Sequence, residues 1–296
     1  MKDLKLEDIP GIGEKIIEKL REMGYTDPMA IAVTSSHELA TIAEISESQA
    51  TKIINSVRQM LDIGFETVNE ILERKNKVQK ISTGIEELDD LLGGGIETQT
   101  ITEISSLDIS TVSHIAQKIA VVMSMKDTKT IYIDTNGRFH ANTIKYFTNK
   151  FNLNFEQVLG HICYSRAETT EILQFFIEKI REAISKDPKI RLIITDDIAY
   201  TFLQDFVGRG ELAPRQQILN KVLHKLQSIA DDYNIPVLLT NIIKQYDKKP
   251  FGSAVMDHHV IYRIEIKRDK KGNKTIKLTD SPNLSLREVS VKSDIL

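Results

Sequence analysis

Between an apolar, β-type run from Thr100 to Ile104 and a helical pattern around Ile115 to Met125 lies the connection Ser105-Ser106-Leu107-Asp108-Ile109-Ser110-Thr111-Val112-Ser113-His114. A turn from strand to helix is a natural seat for phosphate, because the first amides of the helix point outward and its dipole favours an anion. A phosphate cradle needs glycines that let those amides turn, a lysine for the outer phosphates, and a Ser or Thr hydroxyl for magnesium. This connection contains neither glycine nor lysine and keeps only the hydroxyl, at Ser113. Asp108 adds a negative charge, and the β-branched Ile109 and Thr111 resist the positive φ angles that glycine supplies.

A second place for phosphate lies near the start of the chain. In Leu4-Lys5-Leu6-Glu7-Asp8-Ile9-Pro10-Gly11-Ile12-Gly13 two glycines flank an apolar residue, and a helix follows from Glu14 to Met23 with Gly24 as its stop. Gly11 and Gly13 permit a tight turn whose amides can approach a nucleic-acid phosphate; the alternative is a purely structural helical hairpin used for protein contacts. Ser35 with Glu38 has capping-box spacing. A second hairpin at Ala43-Glu44-Ile45-Ser46 carries a carboxylate, which repels phosphate. A helix through Ile53, Ile54, Val57 and Leu61 follows it.

These patterns divide the chain into residues 1–62, a small all-α domain of paired helix-hairpin-helix type; 63–80, a charged linker; and 81–296, the core. In the core, apolar runs alternate with amphipathic helices: Thr130 to Asp134, a helix near Asn142 to Phe151, a strand near His161 to Tyr164, a helix from Thr169 to Ile184, and Arg191 to Asp196. A long helix from Arg215 to Tyr233, Val237 to Thr240, and a meander of Val260 to Arg268 with Thr275 to Leu278 complete it. That alternation predicts an α/β fold with a mostly parallel, twisted sheet flanked by helices. The basic turn Lys267 to Lys271 reads as a solvated hairpin.

A chain of 296 residues with 41% apolar and 27% charged residues holds one sizeable core and a small satellite. The net charge of −3 requires any nucleic-acid contact to come from local basic patches rather than bulk charge. The single cysteine, Cys163, excludes an internal disulfide, and its apolar neighbours predict a buried strand residue rather than a nucleophile. No apolar run approaches a membrane span, and the N-terminus lacks a signal-peptide core, so cytoplasmic, nucleoid-associated residence is expected.

Several blocks stand in one order: Ile81-Ser82-Thr83-Gly84 through Gly93-Gly94-Gly95-Ile96-Glu97-Thr98-Gln99, then Leu192 to Asp196, Gly208-Arg209-Gly210-Glu211-Leu212-Ala213-Pro214-Arg215-Gln216-Gln217, and Leu239-Thr240-Asn241. Together they resemble the archaeal RadA recombinases of the RecA-like ATPase superfamily, over nearly the whole chain. The resemblance implies a RecA-like core. It also implies that the family's phosphate-loop glycines fall on Ser106, Ile109 and Thr111, its lysine on Val112 and its hydroxyl on Ser113. The catalytic carboxylate falls on Asn136, an amide that cannot act as a base. An arginine that packs on adenine falls on His140, and the magnesium-associated aspartate is retained as Asp196, read here as a relic of the fold.

For nucleic acid, the resemblance implies a first DNA loop at Gly208, Arg209 and Gly210. It implies a second, shortened loop in which Lys244, Lys248 and Lys249 surround Tyr246, offering charge and a stacking face. In the linker the family's Phe-x-x-Ala, which inserts into a neighbouring subunit, becomes Phe65-Glu66-Thr67-Val68; Phe65 and Val68 also fit a plain helical stripe with Leu72. The expectation is a catalytically inactive recombinase paralogue that binds single-stranded DNA, with duplex DNA as a further partner. It would modulate the filaments of a RadA-type recombinase, or of itself, in recombination and repair, with no ATP, magnesium or other metal cofactor and no membrane partner. The alternatives are a protein-interaction regulator of the recombinase without DNA binding, and an ATP-dependent recombinase with an atypical loop.

Overall fold

The computed structural model describes residues 5–25, 28–61, 67, 78–246, 248–268 and 273–291, and at Arg209 the backbone alone. The chain divides into two compact units, residues 1–77 with 179–188, and residues 78–178 with 189–296.

In the first unit a 3₁₀ turn at Leu6–Asp8 precedes four helices: Glu14–Glu22 (α1), Pro28–Val33 (α2), Ser36–Ala43 (α3) and Glu47–Met60 (α4). Each places one apolar stripe inward, so that Leu6, Ile17, Leu20, Ile31, Leu39, Ile53, Ile54 and Val57 share one core. The two hairpins end differently. Gly11 takes a φ of +86°, and α1 starts at Gly13 with no side-chain cap on its first amides. At the second hairpin Glu44 occupies the left-handed region at φ 52° and pairs with Lys19, while Ser46 and Gln49 close a reciprocal capping box on α4. The capping residue expected at Ser35 is present, its hydroxyl accepting the Glu38 amide at 3.1 Å.

In the second unit a two-stranded antiparallel pair, Lys80–Ile81 (β1) and Ile96–Glu97 (β2), brackets the helix Glu86–Leu91 (α5). There follow Ile101–Ser106 (β3), Ile109–Ser124 (α6), Lys129–Asp134 (β4), Ala141–Lys150 (α7), Phe155–Leu159 (α8), Ile162–Arg166 (β5), Thr170–Lys186 (α9) and Ile190–Asp196 (β6). Tyr200–Asp205 (α10), a 3₁₀ turn at Arg209–Glu211, Leu212–Tyr233 (α11), Val237–Ile242 (β7), Ser253–Met256 (α12), Val260–Arg268 (β8), Lys274–Asp280 (β9) and Glu288–Val291 (β10) complete it. The eight-stranded sheet runs β10-β9-β8-β3-β7-β6-β4-β5, parallel from β8 to β5 and antiparallel at β9 and β10. β3 is central, and α6 is buried along nearly its whole length, with Val112, Ile115, Ala116 and Ile119 packed against Ile104, Tyr132, Ile194 and Leu238.

Three sequence expectations shift. Cys163, expected inside, is exposed, because β5 is the edge strand and presents an outer face there. The long helix begins at Leu212 rather than Arg215, so Pro214 sits in its first turn, where its missing amide costs nothing. The sheet also gains β10, whose four residues carried no clear apolar period. Among the described residues no helix is long and apolar enough to cross a membrane.

Gly95 turns the chain into β2 at φ +123°, and a Cβ there would collide with the carbonyl oxygen of Ile81 in β1. Gly95→Ala should therefore lower stability by more than about 1 kcal/mol, read as a reduced denaturant midpoint; an unchanged midpoint would mean the β1–β2 pair yields freely.

Candidate functional site

In an open α/β sheet, ligands gather beyond the carboxyl ends of the parallel strands. Those ends here are Ser106 on β3, Asp134 on β4, Asp196 on β6 and Ile242 on β7, with Asp134 in register with Asp196 and Ser106 with Ile242. Only Leu107 and Asp108 separate β3 from α6. Ser106 donates its hydroxyl to the Ile266 carbonyl at 2.8 Å and accepts the Asp108 amide at 3.1 Å, which fixes the turn. Asp108 is then the N-cap of α6, its carboxylate accepting the Ser110 amide at 3.0 Å and the Thr111 hydroxyl at 2.9 Å. An anion therefore already lies on the first turn of this helix, and it belongs to the chain itself. Arg138 reaches over the same turn, donating to the Ser110 hydroxyl at 2.9 Å.

Ile109 and Thr111 both lie in the right-handed helix, and Val112 has no exposed surface. Its side chain fills the space between α6 and the sheet, pointing away from the helix end where the lysine of a cradle would work. One residue on, Ser113 donates to Asp196 Oδ1 at 2.8 Å. The Asp196 carboxylate is completely buried and surrounded by donors: Thr240 Oγ1 at 2.6 Å and Asn136 Nδ2 at 3.3 Å on the same oxygen, and the Tyr132 hydroxyl at 2.6 Å on the other. Burial raises its pKa, while the Thr240, Tyr132 and Ser113 hydroxyls oppose that rise. Asn136 also lies 3.4 Å from Ser113 Oγ and accepts the Arg138 amide at 2.9 Å. His140 caps α7 from a loop held by Gln117, which accepts the His140 amide at 3.0 Å and donates to the Arg138 carbonyl at 2.9 Å.

Ser106, Ile109, Thr111, Val112, Ser113, Asn136 and Asp196 thus meet at one place, as the sequence placed them. Sequence reasoning missed Tyr132 and Thr240, the two donors nearest Asp196. Tyr132 stands two residues before Asp134 in a run that looked merely apolar, and a tyrosine in such a run needs a partner for its hydroxyl. Among the described residues no group of three or more His, Cys, Asp or Glu side chains could hold a metal ion.

The second set of candidates lies on two connections. Gly208 has φ +103°, and nothing lies within 4 Å of a Cβ built there or at Gly210, so the first loop is open on both sides of Arg209. The side chain of Arg209 lies outside the described residues, as do Phe65 and Val68. The second loop is compact: Ile243 bridges Pro250, the Lys244 amide donates to the Lys249 carbonyl at 3.0 Å, and the Lys248 amide donates to the Lys244 carbonyl at 2.9 Å. This fold brings Lys244, Lys248 and Lys249 onto one short loop with Tyr246, whose ring is 81% exposed and lies 5.6 Å from the Lys244 ammonium. Gly11 and Gly13 belong to the other unit.

A central strand–turn–helix, a buried aspartate at the end of β6 and two connections facing solvent define a RecA-like α/β core joined to a helix-hairpin-helix domain. The chain belongs to the Rad51 family, whose profile matches residues 73–294; a SAM-like helix-hairpin-helix tandem matches residues 3–59. It is similar to a DNA repair and recombination protein RadA of Methanoculleus marisnigri, at 34% identity over 96% of this chain and 95% of that protein.

Asp197 provides a pH test of this region. Its carboxylate accepts the amides of Ala199 at 2.8 Å and Tyr200 at 2.6 Å at the start of α10. Burial first, and then the neighbouring Asp196, push its pKa from 3.8 up to about 7. A raised carboxyl pKa contributes stability that is complete below about pH 4 and is lost as pH rises through about 7, since the unfolded chain releases the proton earlier. Asp197→Asn keeps the accepting oxygen and removes the ionisation. It should be more stable than the unmodified chain by on the order of 2–4 kcal/mol at pH 8 and equal to it near pH 4, measured by denaturant titration at both values. An equal gain at both values would mean that ionisation is not the cause.

Proposed function

We propose that this chain is a recombinase-family subunit that binds single-stranded DNA without turning over ATP. In this reading it acts in homologous recombination and repair as an accessory to an active recombinase. The observation that carries it is the Asp108 carboxylate seated on the first turn of α6, with Val112 buried where the family's lysine would stand. Phosphoryl transfer depends almost wholly on positioning and charge stabilisation. Here the phosphate position faces a fixed negative charge, no lysine answers it, and Asn136 replaces the group that would orient water. The residues present do not fit a triphosphate with magnesium: both oxygens of Asp196 are engaged by hydroxyl donors, and Ser113, the one retained ligand-type hydroxyl, is one of them.

DNA contact rests on the first loop at Gly208-Arg209-Gly210, on Lys244, Lys248, Lys249 and Tyr246 in the second, and on the uncapped start of α1 beside Gly11 and Gly13. The second hairpin contributes little, since Glu44 and the Ser46 cap already satisfy or repel what a phosphate would bring. Phe65 and Val68 are the proposed link to a neighbouring recombinase or to a second copy. That the second hairpin is closed, together with the net charge of −3, favours one other reading, a regulator working through protein contacts alone.

Fluorescence anisotropy of labelled single- and double-stranded oligonucleotides, with and without Mg-ATP across a salt series, tests the reading. Single-strand binding that is indifferent to ATP is expected, and Arg209→Ala should weaken it several-fold and lower the salt slope by about 0.7. An unchanged affinity removes Arg209 from the interface, and no binding at all leaves the protein-contact reading. ATP hydrolysis by the purified chain that disappears in Asp196→Ala would overturn the claim of inactivity.

A further inference from the structure

At the start of α11 two cations share one aromatic ring. Phe251 follows the second loop, yet only 1% of it is exposed. Its ring lies 5.3 Å from the Arg215 guanidinium and 5.5 Å from the Lys244 ammonium. The placement is built in by the backbone: the Phe251 amide donates to the Ile242 carbonyl at 3.1 Å, and its carbonyl accepts Asn241 Nδ2 at 2.9 Å. The next residue, Gly252, turns at φ +67°, where a Cβ would press within 2.6 Å of the Leu219 side chain. On its other side the Phe251 ring lies 6.1 Å from Phe202 of α10, the helix that leads into the Gly208–Gly210 loop.

Between the two cations a cavity of about 160 Å³ opens, lined further by Gln216, Gly252, Ser253 and Ala254 and by no acidic side chain. Taken against roughly 30 Å³ per water molecule, that is room for the four oxygens of one phosphate group. Among the described residues neither Arg215 nor Lys244 has a carboxylate partner. A ring face attracts each cation, but two like charges held on one ring repel, and an anion between them removes that repulsion. Arg215 brings planar donors suited to two oxygens of one phosphate, and Lys244 a compact charge.

We propose that Phe251 is a positioning residue that gathers Arg215 and Lys244 into a pocket for one phosphodiester of single-stranded DNA. The proposal rests on the DNA-binding reading above and adds to it Arg215, as a direct contact, and Phe251, as the group that aims the two cations. It accounts for an aromatic side chain being buried in a loop that otherwise displays lysines: the ring holds the charges in place before DNA arrives, so little side-chain freedom is lost on binding.

The test is oligonucleotide anisotropy across a salt series with the full chain and with Phe251→Leu, Phe251→Tyr, Arg215→Ala and the double variant Phe251→Leu with Arg215→Ala. Phe251→Leu is expected to weaken single-strand binding about five- to tenfold while leaving the denaturant midpoint close to the original, and Phe251→Tyr, which keeps the ring, should restore it. Arg215→Ala should lower the salt slope by about 0.7. Its effect should shrink in the Phe251→Leu background, because the two residues act through one contact. Inorganic phosphate at matched ionic strength should not displace the oligonucleotide; displacement at micromolar phosphate would assign the pocket to a free anion and overturn the proposal. Binding by the full chain that is unaltered in Phe251→Leu and Arg215→Ala overturns the pocket and leaves the DNA reading standing. Absence of binding by the full chain overturns both. If Phe251→Leu lowers the midpoint, the purely structural explanation is upheld only when Arg215→Ala also leaves affinity and slope unchanged.

Discussion

The core is organised around a carboxylate that water cannot reach. Asp196 ends β6 with no exposed surface, and a buried carboxylate is tolerated only when its oxygens are hydrogen-bonded. Its donors come from four separate places: Tyr132 on β4, Asn136 in the loop after β4, Ser113 on α6 and Thr240 on β7. Each must arrive on the correct face at the correct height. A one-residue slip of β4 would turn Tyr132 to the opposite side of the sheet, and a shift of α6 along its axis would withdraw Ser113. The cluster therefore specifies the register of three strands and one helix at once, in a region where the apolar contacts alone would accept several arrangements.

β7 serves a second buried carboxylate from its other face. Thr240 and Asn241 are consecutive, so their side chains point to opposite sides of the sheet. Thr240 meets Asp196, and Asn241 donates to Glu103 Oε1 at 2.5 Å, with Arg263 Nε 3.6 Å from the other Glu103 oxygen. Burial raises the Glu103 pKa, and Arg263 and Asn241 work against that rise. The Thr-Asn pair is thus a two-sided fastener, each side satisfying one acid that sits beside a neighbouring strand. Asn241 also donates to the Phe251 carbonyl, so the same residue that serves Glu103 sets where the loop after β7 turns back.

Much of this was legible in the residues. The alternation of apolar runs with amphipathic helices marked every parallel strand, and the absence of glycine and lysine between Ser105 and Ser113 marked an unusual turn before α6. What escaped was whatever depends on the order of strands rather than on their existence. Cys163 looks interior because its neighbours are apolar, but only the sheet order makes β5 an edge. Tyr132 reads as one more apolar residue until β4 is laid next to β6. β1, β2 and β10 are too short to show a period and exist because partners already stand in place. Arg215 and Phe251 are 36 positions apart in number and meet only when the β7–α12 loop folds over the start of α11. Asp108 was read as a charge hostile to phosphate; that the same carboxylate would turn inward and cap its own helix was not visible, since capping needs the turn geometry set by Ser106.

That cap changes what α6 responds to. A helix whose first turn waits for a dissolved anion is tightened in proportion to how much of that anion is present, through mass action. A helix capped by a side chain one residue before it has its anion tethered at an effective concentration that no change in the surrounding solution alters. The strand, the cap and the central helix of this core therefore form a unit of constant stiffness, deaf to the supply of small phosphates around it.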